Sequence, residues 1–283
     1  MLTYFQAIFL GLLQGVTELF PISSLGHTVV LPKLLGWNNL VAAQSAPESF
    51  FLAFIVGLHV ATAVALIVFY RRTWAKIIRA FFRTLQTRKV EDSSERLAWL
   101  LIIATIPAGL IGMVFEHKLR TVFAKPSYAA FFLVINGLIL LAGEYYRRRV
   151  MHHKAKRQLA SLDYKESGVI GMFQSLALLA GISRSGVTMV ASLVRGLSHE
   201  DSANFAFLLA TPIILGAGVY KLPDLFGPLG NNIRGQVLLG SIAAGVAAYM
   251  SVRYLTRYFQ TRTLTPFAIY SLVVGGLLLI RFS

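Results

Sequence analysis

The sequence predicts an all-α polytopic membrane protein: six transmembrane helices plus two re-entrant helix–loop–helix hairpins, arranged as an inverted-topology repeat. Three observations predict it. The composition suits lipid rather than water. Six apolar runs are long enough to span a bilayer. Two further apolar segments are each broken by a polar knot, and the two knots match in sequence.

Composition sets the solvent. Of the 283 residues, 56% are apolar and only 14% are charged, with a mean hydropathy of +0.65. Soluble domains carry about 25% charged residues. A soluble chain this apolar lacks the polar surface to cover its core, so the solvent is the bilayer. The absence of cysteine excludes a disulfide framework and thiolate metal sites. The first six residues carry no Lys or Arg, and a secretory signal needs a basic start, so none is expected. The net charge of +15 is clustered in loops between apolar runs. No nucleic-acid-binding module or basic groove is visible, so nucleic acid is not an expected partner.

The six spans are Phe51–Tyr70, Leu97–Phe115, Tyr128–Tyr145, Ala203–Tyr220, Gln236–Val252 and Pro266–Phe282. A spanning helix needs about 20 apolar residues, and about 17 still suffice. The segments 5–36 and 168–197 have apolar halves too short to cross, each side of a Ser-Gly knot. That pattern suits a hairpin that enters and leaves on one face, with its irregular backbone buried in protein or lining a wet cavity.

Charge orients the spans. Loop 71–96 holds eight Lys/Arg, 147–157 holds six and 253–262 holds three, whereas 117–127 and 221–234 hold three and two. Lys and Arg collect on the cytoplasmic side. Placing the first three loops inside makes every crossing alternate and leaves both termini outside. The chain is then a single membrane domain over 1–283.

The chain also repeats itself. Residues 11–30 align without gaps to 171–190, with identity at eight of twenty positions, including Gln14/Gln174, Ser23/Ser183, Gly26/Gly186 and Thr28/Thr188. Shared apolarity explains matches of Leu, Ile and Val; it does not explain these polar and Gly matches. Repeat one covers 1–150, and repeat two covers 160–283. Each is a hairpin followed by three crossings, and three is odd, so the second copy is inverted. The two tips then meet near the midplane.

The knots carry the chemistry. Gly11, Gln14, Gly15 and Glu18 share one helical face. The glycines allow close helix approach, and Gln14 can act as packing glue or as a ligand contact. An ionisable group such as Glu18 is expensive in such a segment and marks function. Pro21 ends the helix. Ser23 and Ser24 stand where the next helix starts, with His27 one turn on. One serine suffices as a cap. Two serines beside an acid and an imidazole point to phosphate binding at a helix N-terminus, or to an activated nucleophile. In the second knot, Arg184 is mid-segment and needs an anion, either Glu18 or a phosphate. Ser183, Ser185, Gly186 and Thr188 complete a phosphate cradle around it. His59, alone in a span, is read as structural. Arg195, His199, Glu200 and Asp201 are read as interfacial loop charges, and His152 and His153 as solvated.

At these knots the chain resembles the bacterial undecaprenyl-diphosphate phosphatase family of the bacitracin-resistance type. The resemblance rests on Gln14-xxx-Glu18, on Pro21-Ile-Ser-Ser-Leu-Gly-His27 and on Gly181-Ile-Ser-Arg-Ser-Gly-Val-Thr188. It extends through 205–212 and 266–270. It implies hydrolysis of undecaprenyl diphosphate to the monophosphate, which recycles the cell-wall lipid carrier. It also implies a periplasm-facing site, a divalent cation (Mg or Ca) with Glu18 as its ligand, and a homodimer. By the same resemblance Ser24, His27, Glu18 and Arg184 are the catalytic group. Two positions depart from the family pattern. The first acidic-motif position is often Glu and here is Gln14, which removes a carboxylate. The residue before Gly181 is often Pro and here is Ala180. Two rival readings remain. One is a lipid transporter or flippase using the same midplane site. The other is a histidine-nucleophile lipid phosphatase, which needs a His where Val190 stands.

Overall fold

The structure, a computed structural model, describes residues 2–45, 49–123, 125–150, 157–227, 230 and 232–282. The expected solvated pair His152 and His153 lies outside the described residues. Apart from one bridge between Arg157 and Leu197, the regular structure described is helical.

The first broken segment forms α1 (Tyr4–Thr17) and α2 (Ser24–Leu34), and a short α3 (Asn38–Ser45) follows. Thr3 and Gln6 form a capping box that starts α1. Glu18 is the C-cap of α1, so the helix stops before Pro21 is reached, and Pro21 lies in the turn that follows. Three long helices come next: α4 (Phe50–Phe69), then α6 (Ser93–Phe123) and α7 (Pro126–Val150), with α5 (Arg71–Thr87) between the first two. The second broken segment is α8 (Tyr164–Gln174), a short 3₁₀ turn over Ser175–Leu178, and α9 (Arg184–Val194). The chain closes with α10 (His199–Phe226), α11 (Arg234–Thr261) and α12 (Thr265–Phe282).

Six helices are long and apolar enough to cross a membrane: Phe50–Phe69, Ser93–Phe115, Pro126–Arg149, His199–Lys221, Arg234–Thr261 and Thr265–Phe282. They match the six expected spans in place and order, with ends extended at the polar flanks. One difference is α5. The basic stretch 71–96 reads as a loop from its charge, yet most of it is a helix of 17 residues. Ile77, Ala80 and Thr84 fall on its buried side while Arg71, Arg72, Arg79 and Arg83 do not. Such a helix packs one stripe and leaves its cations in the polar boundary layer.

Close backbone approach sets the hairpins against the spans. A Cβ on Gly11 would lie 2.2 Å from the Gly240 carbonyl oxygen of α11, and one on Gly171 would lie 2.3 Å from that of Ala104 in α6. Helix α1 thus lies on α11 and α8 on α6, with α4 against α10 and α7 against α12. At one end of α7, Glu144 is buried and accepts from His199 Nε2 and from the Leu264 amide, both at 2.7 Å. His199 is therefore a half-buried joint between α7 and α10, not a free loop charge. A lone polar residue among long apolar helices gives no sign of that partner.

Candidate active site

The two knots meet tip to tip. A Cβ on Gly26 would lie 3.0 Å from the Gly181 Cα, and one on Gly186 would lie 3.3 Å from the Pro21 Cβ. Ser23 ties the tips together: its Oγ accepts from the amides of Gly26 and Gly181, each at 3.2 Å. Its backbone sits at φ 69°, outside the regions a non-glycine residue normally occupies. Such strain costs about 1–3 kcal/mol and persists only where the surroundings enforce it. Here it turns the chain sharply enough to bring Ser24 back to Glu18. Asn136, from the middle of α7, is a second tie. Its Oδ1 accepts from the Ser183 amide at 2.9 Å, and its Nδ2 donates to the Pro21 carbonyl at 3.0 Å.

A cavity of about 370 Å³ opens beside the tips. Its polar floor is Glu18, Ser23, Ser24, Ser183, Arg184 and His59. Its walls are mostly apolar, with Phe51, Ile55, Ala108, Leu178 and Ile213 among them and Thr28, Gln44 and Gln174 as polar exceptions. Both α2 and α9 point their N-terminal ends at this floor, since Ser23 and Ser183 are their N-caps. Those ends carry partial positive charge and favour an anion.

Glu18 is the hub. Ser24 Oγ donates to its Oε2 at 2.5 Å, Gln14 Nε2 donates to the same oxygen at 3.0 Å, and Arg184 donates to Oε1 at 2.8 Å. His59 Nε2 stands 3.5 Å from Oε2, while its Nδ1 is 2.9 Å from the Ile55 carbonyl. His59 thus belongs to the site, which its isolated place in an apolar span did not reveal. The second terminal nitrogen of Arg184 is buried without a partner. An unsatisfied guanidinium N–H group at a cavity floor is a ready contact for a phosphate oxygen.

The remaining expected residues fall in two groups. Ser23 and Ser183 line the cavity; Gln14, Ser185, Gly186 and Thr188 stand behind it. Ser183 and Ser185 pair their hydroxyls at 3.1 Å, and Ser183 Oγ caps Gly186. Thr188 Oγ1 is buried without a partner. His27 is directed elsewhere: Nδ1 lies 2.7 Å from the Ser23 carbonyl and Nε2 2.8 Å from the Tyr270 hydroxyl. Nδ1 therefore donates to the carbonyl, and Nε2 accepts from Tyr270. With both nitrogens used, His27 holds the α2 turn against α12.

The donor set does not build a resident cation centre. Among the described residues, no three His, Cys, Asp or Glu side chains cluster. Glu18 has both oxygens engaged and faces Arg184. Beside it stand the unpartnered Oε1 of Gln14, the Ser24 hydroxyl and the Nε2 of His59, which add no second carboxylate. Ca²⁺ takes six to eight oxygens, and Mg²⁺ leans on one or two carboxylates together with substrate phosphates.

Fold and site together define a membrane-embedded protein that presents a serine, a carboxylate and an arginine to an anionic group on an apolar molecule. The chain belongs to the bacitracin resistance protein BacA family, whose model matches residues 7–277. It is 53% identical, over its whole length and 98% of the relative, to undecaprenyl-diphosphatase 2 of Frankia alni. It is 56% identical to the undecaprenyl-diphosphatase of Mycolicibacterium paratuberculosis, over 97% of this chain and 96% of that one. To undecaprenyl-diphosphatase 2 of Burkholderia ambifaria it is 43% identical, over 95% and 93% respectively.

Proposed function

We propose that the chain is an undecaprenyl-diphosphate phosphatase that acts from the outer face of the bacterial plasma membrane. The observation that carries this reading is the ion pair between Arg184 and Glu18 beside Ser24, with one guanidinium nitrogen left unpartnered at the cavity floor. The isoprenoid tail lies along the apolar walls and in lipid, and the diphosphate sits on the floor. Arg184 and the N-terminal ends of α2 and α9 hold the terminal phosphate. Ser24 Oγ attacks its phosphorus and passes its proton to Glu18. The bond from that phosphorus to the bridging oxygen breaks, and undecaprenyl phosphate leaves with the proton Glu18 had taken, which returns Glu18 to the carboxylate. Water, deprotonated by Glu18, then attacks the phosphoserine. Inorganic phosphate departs, and Ser24 regains its proton. Positioning and charge stabilisation supply most of the catalysis in such transfers. A Mg²⁺ or Ca²⁺ ion carried in on the diphosphate would neutralise its charge, with Glu18 the nearby carboxylate.

The inverted repeat supports this placement. Gly11 and Gly171 occupy matching repeat positions, and each touches the middle span of the other half, α11 or α6. Gly26 meets Gly181, and Gly186 meets Pro21, which are the same pair of repeat positions exchanged. Two re-entrant hairpins related by a two-fold axis in the membrane plane produce such reciprocity. The Lys/Arg excess of the loops taken as cytoplasmic supports a floor open to the outside.

The test is phosphate release by purified, detergent-solubilised protein from a C15 or C55 isoprenyl diphosphate, with and without Mg²⁺ or Ca²⁺. Release that disappears in Arg184→Ala supports the reading. No release from folded wild-type protein overturns it.

A further inference from the structure

Gln174 is the last residue of α8, and it lines the same cavity. It is 2% exposed, and neither its Oε1 nor its Nε2 has a hydrogen-bond partner. A primary amide offers two donors and two lone pairs. Leaving them all unmade in a buried place is costly, and native proteins seldom do so without a reason. Its repeat counterpart Gln14 is engaged by Glu18, as described above. Glu18, however, corresponds in the second repeat to Leu178, which cannot accept a hydrogen bond. Gln174 thus keeps the amide and loses its protein partner.

Its position says which ligand group is missing. Ser24, Glu18 and Arg184 gather where the attacked phosphorus must sit. Gln174 stands apart from them on α8, which packs on α6, and close in sequence to the apolar lining residues Ala177 and Leu178. Between an attacked terminal phosphorus and an apolar tail, a diphosphate ester has one other polar group, the phosphate bonded to the lipid. We propose that Gln174 is a substrate-binding residue for that inner ester phosphate, donating from Nε2 to one of its non-bridging oxygens. The proposal rests on the phosphatase reading and adds the subsite that recognises what remains on the lipid after cleavage. A neutral amide suits the role. It orients the departing monophosphate but grips it less than a guanidinium does, so the product can leave.

The structural alternative is that Gln174 merely fills space between α8 and α6. The two readings part on stability. If the amide exists for ligand, Gln174→Met removes an unsatisfied polar group, preserves the length and leaves the melting temperature of the full-length protein equal or higher. The measurement is steady-state hydrolysis of C15 isoprenyl diphosphate by the full-length protein in detergent. It is paired with direct binding of C15 isoprenyl monophosphate to the same preparations. The expected result for Gln174→Met is an approximately tenfold rise in KM and in the monophosphate Kd, with kcat within about threefold of wild type; tenfold corresponds to about 1.4 kcal/mol. Gln174→Glu, which sets a carboxylate against the phosphate, weakens both further. An unchanged monophosphate Kd in either folded variant overturns the proposal. So does a lowered melting temperature with kcat and KM disturbed together. The binding arm needs no turnover. A wild type that binds monophosphate but releases no phosphate therefore counts against the phosphatase reading, not against Gln174.

Discussion

Ser24 and Glu18 are joined by a hydrogen bond of 2.5 Å, Oγ to Oε2, across a six-residue turn. The distance is at the short end for a hydroxyl on a carboxylate, as expected when the acceptor is charged and buried. The same carboxylate is held from the other side by Arg184. Serine and base are therefore in register before any substrate arrives. Glu18→Gln keeps the shape and removes the base, and Ser24→Ala removes the nucleophile. Each should lower kcat by about 10²–10⁴-fold with a smaller effect on KM. Single-turnover phosphate release measures this; near-normal kcat in either variant would falsify the proton-transfer assignment.

Arg184 has two separable duties, to balance Glu18 and to hold phosphate. Arg184→Ala abandons both. The uncompensated buried carboxylate costs about 3–5 kcal/mol, and the lost transition-state contact costs at least about 10²-fold in kcat. Arg184→Lys separates them. It restores a positive charge near Glu18 but cannot offer the second planar N–H group. Its thermal unfolding should lie close to wild type while its turnover stays near that of Arg184→Ala. Turnover recovering in step with stability would mean that the arginine acts only through folding.

The knots were legible because they break strong patterns. Glu18 and Arg184 are charges inside apolar segments, and the matched Gln, Ser, Gly and Thr positions exceed what shared apolarity explains. His59 was not legible. It is one imidazole on an apolar span, and its partner lies 41 residues upstream, so only packing of α1 on α4 brings the two together. Asn136 is hidden likewise, because its partners Pro21 and Ser183 lie far from it in sequence. His27 shows the converse. It is one turn from Ser24 in sequence, yet it faces α12, because helical spacing places a residue on a face without saying what that face meets. The basic stretch 71–96 concealed α5, since clustered charge and an amphipathic stripe occupy the same residues.

His59 should be electrostatically coupled to the reaction, since its Nε2 stands 3.5 Å from the base. His59→Gln retains reach and polarity but no titratable ring. Its kcat/KM should fall by about tenfold, about 1.4 kcal/mol of transition-state stabilisation. The pH–rate profile should also change shape, since the variant has no titratable ring. Wild-type and mutant profiles differing only by a constant factor would show His59 to be a packing residue.

The cation should follow the substrate. With one committed carboxylate at the floor, the substrate-free protein should bind Mg²⁺ or Ca²⁺ weakly, with Kd above about 1 mM, as in sites of low ligand charge. Chelator should still abolish turnover, and restoration should track the concentration of metal–diphosphate complex rather than that of free metal. Calorimetric titration of substrate-free protein checks this. Micromolar binding that disappears in Glu18→Gln would instead place the ion on the protein beforehand.

Asn136 offers the test of how the two tips stay together. It accepts from the Ser183 amide at the start of α9 and donates to the Pro21 carbonyl in the turn before α2, and it touches neither cavity nor substrate. Its third bond, Nδ2 to the Ser271 hydroxyl at 3.2 Å, extends the tie to α12. Asn136→Leu conserves volume while leaving the Ser183 N–H group and the Pro21 carbonyl without this partner. Each orphan costs about 1–3 kcal/mol. Asn136→Asp keeps the acceptor for Ser183 and loses the donors to Pro21 and Ser271. Melting temperature should fall in both variants. Because Ser24 and Arg184 ride on opposite tips, kcat should fall more than KM rises, the mark of lost alignment rather than lost contact. A melting temperature that falls without any change in kcat would mean that the tips are aligned by Ser23 and the glycine contacts alone.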